Sequence, residues 1–516
     1  MPSTIRWSRV ALVLLVAQCS EAPQIPVRPG VQPVVTSGAP RPGFYASPSG
    51  TSAGDGSWSN PWDLATALAG GNGAIHPGDT VWLRGGTYVG AFRSTVAGAA
   101  GAPVVVRQLP GERATVDGAG QTTSSGDMFV VAGDYSVFWG FELMNSDASA
   151  PRRVSSARPD LLVNDASHTK YVNLVVHDGG VAFFNHPTAF DVEVTGCIFY
   201  NNGWEDPVWG GGGHALYVKS NTGPVVIRDN VAFNQFGYGI QVYSDWGKGK
   251  LYGVTVTGNA FFNNGSLDSL TSSNANLSVG GQEPAEQDTV SDNMTFFSPG
   301  LGTFNVVTGL TRYPNIDIVF RNNYVVGGVY ALTVGYWDRA VVRGNVVQGV
   351  DRVVRLKDTS WTGYQWDGNT YWRNPTARAW WYAGRNYTFA GWRAVTGLGV
   401  SDAVRAGFPG APQVFVRPNG YETGRANVVV YNWTGLGAVP VDLSGVLQPG
   451  DSFKVQSVQD LFGNPVVSGT YGGGSISIPM NAIAPPQPIA GSRRPPPTTG
   501  PAFDVFVVTK VTGGQP

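Results

Sequence analysis

One stretch of the chain concentrates side chains able to move protons. NNGWEDPVWGGGGHALYVKS (201–220) carries Trp204, Glu205, Asp206, Trp209 and His214 and ends on alternating Tyr217 and Lys219. The next unit, GIQVYSDWGKGK (239–250), sets Gln241, Tyr243 and Asp245 at alternate positions, followed by Trp246. RVVRLKD adds Arg355 and Lys357 farther along. Such a set suits an acidic polysaccharide. Removing the proton beside a uronic carboxylate needs a cation to neutralise that carboxylate and a base within reach of the proton. Where a bond is to break, an acid must also serve the leaving oxygen. His214, Tyr217, Lys219 and Tyr243 are the candidate bases and acids, and Arg355, Arg228 or a bound Ca²⁺ the candidate cations. A lysine becomes a base when burial or neighbouring charge lowers its pKa. Trp204, Trp209 and Trp246 offer flat apolar area for sugar rings; Gln241, Asp245 and Lys357 add polar contacts to substrate.

Each of these has a plainer structural alternative. His214 could cap a strand, and Lys219 could be a solvated surface lysine. His177-Asp178 looks like a catalytic pair, but His177 falls four residues after Asn173, in a column with Asn201, Asn234 and Asn263, and reads as corner-stabilising. Trp361, Trp366, Trp372, Trp380, Trp381 and Trp392 crowd one region and read as packing. No acidic spacing matches an EF-hand loop, so Ca²⁺ has no support from spacing, no metal ligands are named and no cofactor is assigned.

The elements that must position these residues repeat along the chain. VTGCIFYNN, IRDNVAFN, VTGNAFFNN, VSDNMTFF, FRNNYVVG, VRGNVVQG and WDGNTYW align a turn position at Cys197, Asn230, Asn259, Asn293, Asn323, Asn345 and Asn369. Asn173 and Phe141 extend the column upstream. The spacing ranges from 22 residues (323 to 345) to 34 (259 to 293), as one solenoid coil plus loops of varied length. Asparagine tolerates left-handed turns and can hydrogen-bond along a stack. A further strand precedes each turn, with Leu216 and Val218, Ile240 and Val242, Leu277 and Val279, and Leu332 and Val334 inward by alternation. Two strand columns plus turns, with few helix signals, predict an all-β parallel β-helix. Composition agrees. Of 516 residues 70 are Gly, while only 13% are charged, against about 25% in a typical soluble domain. With a net charge of -1 and few basic residues, nucleic acid is excluded as a general partner.

FYASPSGTSAGDGSWSNPWDLATAL (44–68), HPGDTVWLRGGTYVG (76–90) and GAPVVVRQLPGERATVDG (101–118) together resemble the opening of right-handed parallel β-helix proteins of the pectate-lyase-like superfamily. The resemblance covers residues 43–375. It implies the right hand and a carbohydrate-directed function: polysaccharide lyase, C5-epimerase, glycoside hydrolase or surface adhesin. It carries over no catalytic residue, because the signature motifs of the classical pectate lyases and alginate epimerases are not matched.

Around this solenoid the chain divides further. Arg6 and Arg9 before the apolar run Val10–Ala17 read as a signal peptide (1–22), with lipid attachment at Cys19 as a second reading. Residues 23–42 read as a Pro-rich linker, 376–412 as a connecting segment with a short helix, and 413–512 as a seven-strand β-sandwich that binds carbohydrate or caps the solenoid end. The expected protein is a secreted or cell-envelope monomer whose partner is a polysaccharide. A lyase or epimerase fits the proton-moving residues. A glycoside hydrolase would need Glu205 or Asp206 paired with Asp245, and a non-catalytic binding protein would need only the tryptophans.

Overall fold

The computed structural model describes residues 41–149, 152–153, 158–206, 210–268, 274–309, 315–358 and 360–511, all within one compact unit, Val35–Pro516. The leader, the linker up to residue 40 and Trp209 lie outside the described residues.

Three twelve-stranded sheets, rather than the expected two strand columns, run the length of a parallel β-helix. One coil shows the pattern. Val192–Thr195 lies in the first sheet, Ile198–Tyr200 in the second and Leu216–Val218 in the third, before Val225–Arg228 returns to the first. The repeated strand–turn–strand piece therefore spans two sheets by itself. The inward residues named above are buried in one continuous core.

The turn between the first and second sheets explains the Gly/Asp–Asn pair. The first member adopts positive φ (Gly196 67°, Asp229 53°, Gly258 70°, Asp292 57°, Asn322 55°, Gly344 65°), a conformation only Gly, Asn and Asp accept cheaply. The second member turns inward and is buried. Its amide then hydrogen-bonds to the next coil: Asn230 to Asn259 (2.9 Å), Asn259 to Asn293 (2.9 Å), Asn293 to Asn323 (3.0 Å), Asn323 to Asn345 (3.0 Å) and Asn345 to Asn369 (2.9 Å). Asn369 ends the ladder on Asp402. Cys197 starts it, its backbone N–H donating to Asn230. Its thiol is buried, and burial pushes its pKa up to about 12, as for an inert packing thiol.

The column at Asn201, Asn234 and Asn263 is not a second ladder. These residues sit at left-handed corners, with φ of 55°, 50° and 51°. One residue later lie two shorter sets of buried amides: the Asn202 backbone N–H donates to Gln235, and Asn264 bonds to Asn276, which bonds to Asn305. His177 lies one residue before the corner column, opposite Tyr200 on the outward face of the second sheet.

Both ends are plugged. Leu64, Ala67 and Leu68 of the helix Leu64–Leu68 join the core at one end. At the other, the helix Phe389–Thr396 starts where Thr388 accepts the Gly391 N–H, and it buries Trp392 against Trp366, ring centroids 5.6 Å apart. Among the described residues no helix is long and apolar enough to cross a membrane.

Seven strands follow. Five form an antiparallel sheet (Gln413–Pro418, Arg425–Tyr431, Phe503–Lys510, Ser452–Ser457, Val467–Thr470), and Ala438–Asp442 pairs with Ser475–Pro479 as a ribbon. Alternation makes the sheet apolar on both faces. Val428, Val430, Phe506 and Val508 face the ribbon core. Val429, Tyr431, Phe503 and Val505 face Tyr200, Phe233, Phe262 and Phe296 on the outside of the second sheet. The module therefore lies along the flank of the β-helix instead of capping its end, and it closes the outer face of the second sheet.

The ladder sets a prediction. The Asn259 amide donates to the Ile227 carbonyl and accepts from the Asn230 backbone as well as bonding both neighbouring asparagines. Asn259→Ala strands several buried polar groups and costs about 3 kcal/mol, whereas Thr255→Ala on the outer face costs under about 0.5 kcal/mol. Denaturant titration checks both; equal midpoints for the two variants would refute the role given to the ladder.

Candidate active site on the outer face of the third sheet

The outer face of the third sheet is built from one outward residue per coil. Register stacks Phe184, Tyr217 and Gln241 on consecutive strands, with Arg355 and Trp381 farther on. Lys219 follows Val218 at the corner into the first sheet, and Tyr243 follows Val242, the partner of Val218. The alternation of Tyr217 with Lys219 and of Gln241 with Tyr243 thus becomes a two-by-two patch.

The patch is tied together by Asp245, on the loop beyond Tyr243. The Lys219 ammonium pairs with the Asp245 carboxylate, and the Tyr217 hydroxyl donates to the same oxygen at 3.3 Å. The Lys219 side chain is only 10% exposed, whereas that of Asp245 is 46% exposed. The Lys219 nitrogen lies 5.0 Å from the Tyr217 ring centroid and 5.8 Å from that of Phe184, so aromatic faces wall it on two sides. The Tyr217 and Tyr243 rings are 6.5 Å apart. Burial, reinforced by the Asp245 charge, raises the pKa of both phenols, so both remain protonated donors at neutral pH.

His214 stands beside this patch, its ring 5.2 Å from both Tyr217 and Tyr238. Burial pushes its pKa down to about 4. Its Nδ1 accepts the Tyr238 backbone N–H at 3.3 Å, which uses the lone pair of the neutral ring and leaves the proton on Nε2. A neutral ring so held can donate a hydrogen bond but has no free lone pair for a base. Trp204 belongs to the hairpin of Trp204–Asp206 and Gly210–Gly212. A Cβ on Gly212 would lie 2.5 Å from its indole, so the glycine run is a slot for this ring. Trp246 is 66% exposed on the loop after Asp245.

Other candidates lie elsewhere. Arg355 and Lys357 share the face and the corner with Tyr217 and Lys219, but five strands away, about 24 Å at the ~4.8 Å strand spacing. Arg228 lies on the first sheet, paired with Glu193 at 2.6 Å. Glu205 is buried at the corner between the second and third sheets, paired with Arg493 of the Pro-rich loop at 3.3 Å. Asp245 sits across the third sheet from it, so these two carboxylates do not face one another as a hydrolase pair. His177 is buried between Asp178 (2.8 Å) and Glu142 (2.9 Å). Burial alone would lower its pKa, but these two carboxylates raise it. Asp178 in turn holds Arg152 at 2.6 Å and the Ile489 N–H at 2.7 Å. This network anchors the Pro-rich loop through the Ile489 N–H and reaches the surface only through Arg113, which pairs with Glu142 at 2.7 Å.

Among the described residues, no three His, Cys, Asp or Glu side chains converge as a metal-ligand group, and the Asp245 carboxylate is already held by Lys219 and Tyr217. These residues form no calcium cradle. Phe184 and Tyr238 escaped the sequence reading; for Phe184 the available signal was AFFN, whose outward residue falls one coil before Tyr217.

A parallel β-helix with its outer chemistry on one face defines the class of protein, and comparison places it more narrowly. Residues 44–324 match the model of the Pel9A-like, right-handed β-helix region, and the chain belongs to that family. Pectate lyase L of Thermoclostridium stercorarium is 24% identical over 320 residues, 52% of this chain and 24% of that protein. The chain thus spans about a quarter of the length of this relative. Similar solved structures include pectate lyase Pel9A (17% identity, 64% of this chain and 80% of that one, TM-score 0.46). Another is the lacto-N-biosidase of Eubacterium ramulus (13% identity, 70% and 68%, TM-score 0.49).

The His214 environment makes a pH prediction. Its folded pKa of about 4 lies below the ordinary 6.5, so the unfolded chain binds the proton more readily. The stability this site contributes is complete above about pH 6.5 and is lost as pH falls toward 4. His214→Gln should flatten that decline, seen as a smaller difference between denaturant midpoints at neutral and mildly acidic pH. Parallel profiles for the two proteins would contradict the assignment.

Proposed function

We propose that the protein is a polysaccharide lyase, or an epimerase sharing the same first step, acting on a uronate-containing chain laid along the outer face of the third sheet. The observation that carries this reading is the convergence of Lys219, Tyr217, Tyr243 and the exposed Asp245 carboxylate at one corner of the third sheet. Membership of a family named for a pectate lyase supports the same substrate class.

In this reading Lys219 acts as its free amine, having released its proton to solvent. The free amine then takes the proton from the carbon beside the uronate carboxyl. In a lyase, the electron pair left on that carbon forms the new C–C double bond as the glycosidic C–O bond breaks. Tyr217 or Tyr243 protonates the departing oxygen, and the other phenol donates to the uronate carboxyl in place of the cation, since Arg355 and Arg228 lie away from the patch. In an epimerase the same carbon regains a proton from its other side and no bond is cut. Gln241 and Trp246 contact the sugars flanking the reacting one. The basic and then apolar leader at 1–22 supports export to the medium or the cell envelope.

The test is incubation with a panel of uronate polysaccharides and a search for unsaturated sugar ends by ultraviolet absorption, with inverted uronates sought by NMR. Wild type should yield one or the other, and Lys219→Ala should lose roughly 10²–10⁴-fold of that rate while keeping its thermal midpoint. Ordinary reducing ends alone, or an undiminished Lys219→Ala, would overturn the reading.

A further inference from the structure

The far end of the same face carries a second cluster that the chemistry at Lys219 does not use. Phe304 and Tyr330, opposite each other on neighbouring strands, stack with ring centroids 5.0 Å apart and planes 15° apart. The Arg355 guanidinium lies 5.1 Å from Tyr330, 5.8 Å from Phe304 and 5.1 Å from Trp381, the residue opposite it on the next strand. Arg352 completes the frame, 4.8 Å from the Tyr330 ring and donating to Asn386 at 3.0 Å and Asp351 at 2.9 Å. Beyond Trp381 the strand Arg385–Tyr387 turns back antiparallel. A cleft of about 560 Å³ opens there, lined by Arg378, Arg385, Asn386 and Tyr387.

Several arginines of the solenoid face a carboxylate, as Arg113 does Glu142, Arg152 does Asp178 and Arg343 does Asp367. Among the described residues Arg355, Arg378 and Arg385 have no carboxylate partner within ion-pair distance. Three uncompensated guanidiniums beside half-buried aromatic rings, in a chain of net charge -1, make a local cationic surface with flat apolar area. Arginine differs from lysine in presenting a planar fork that engages a carboxylate through two hydrogen bonds while its face rests on an aromatic ring. A sugar ring needs the aromatic plane, and a sugar acid needs the fork.

We propose that this cluster is a second, distal saccharide site that binds uronate residues of the same polymer, about 24 Å along the face from Lys219. This rests on the reading of that face as the substrate track, and it adds to it a carboxylate-specific anchor. The occupant is an anionic sugar chain: a neutral chain leaves the guanidiniums unused, and a nucleic acid finds no basic track along the rest of the face, where Asp165 and Asp245 lie.

The test uses calorimetry with galacturonate oligomers on the full chain carrying Lys219→Ala, so that no cleavage intervenes. A galacturonate oligomer long enough to reach both clusters should bind more tightly than digalacturonate and than a neutral xylo-oligosaccharide of equal length. Arg355→Ala, and separately Arg385→Gln on its exposed hairpin, should remove that advantage of length, weakening the long oligomer roughly tenfold or more. Arg355→Lys should restore only part of it. Thermal midpoints verify that each variant is folded. If both arginine variants keep the wild-type preference for the long acidic oligomer, or if the neutral oligomer gains equally from length, the distal site is refuted even where unsaturated ends show that Lys219 works. Conversely, loss of the length advantage in a protein that makes neither unsaturated nor inverted uronates upholds the distal site and refutes the reaction.

Discussion

The buried asparagine ladder is the constraint on which the other features of this molecule depend. A parallel solenoid has no hairpin turns to set its register, and a slip of one residue would turn each strand inside out. Here the side chain of each ladder asparagine bonds to the backbone of the preceding coil and to the asparagine of the next. The coil can therefore vary from 22 residues to 34 without losing its place, because the excess is expelled as loops at the other corners. Any slip would strand a row of amides in a dry core, at about 1–3 kcal/mol for each unsatisfied group. The left-handed residue before each asparagine turns the chain, and the asparagine itself locks the turn.

Fixed register converts a weak sequence repeat into rows of outward side chains, and the three rows have different fates. On the second sheet the row is aromatic and is covered by the C-terminal module through Phe503, Tyr431 and Val429. On the first sheet, Tyr421 of that module reaches over to Glu193 and Lys170. On the third sheet the C-terminal module covers no part of the row; Tyr217 at one end and Arg355 and Trp381 at the other are half-buried, while Gln241, Ser278, Val307 and Thr333 between them are buried. The module is thus part of the site's definition without lending it a side chain, since it decides which face a polymer can occupy. The rigid rod also spaces the Lys219 and Arg355 clusters at a fixed distance that a flexible loop could not maintain.

Much of this was legible in the sequence. The ladder positions from Asn230 to Asn369 and the inward leucines and valines were plain, because period and residue type agree there. So were the neighbours Tyr217 and Gln241, which follow from the register. The third sheet was miscounted because each recurring piece already held two strands with a turn too short to look like a break. His177 falls in the wrong column when counted from Asn173, because Asn173 is the left-handed residue (φ 54°) one place before the ladder position, which Leu174 holds in that coil. The covered face had a readable signal: IFY, VAF, AFF and MTF are apolar on both sides, as strands buried twice over must be. The pairing of Lys219 with Asp245 had none, since Asp245 lies on a loop whose path no periodicity dictates.

The most direct measurement of the central claim, that substrate lies on the outer side of the third sheet, is a crystal structure of the Lys219→Ala protein with a long galacturonate oligomer. The account predicts sugar density along the outer face of the third sheet, from the Lys219 corner past Gln241 toward Arg355. Ordered sugar on the C-terminal module or along the first sheet, with this face bare, would contradict it.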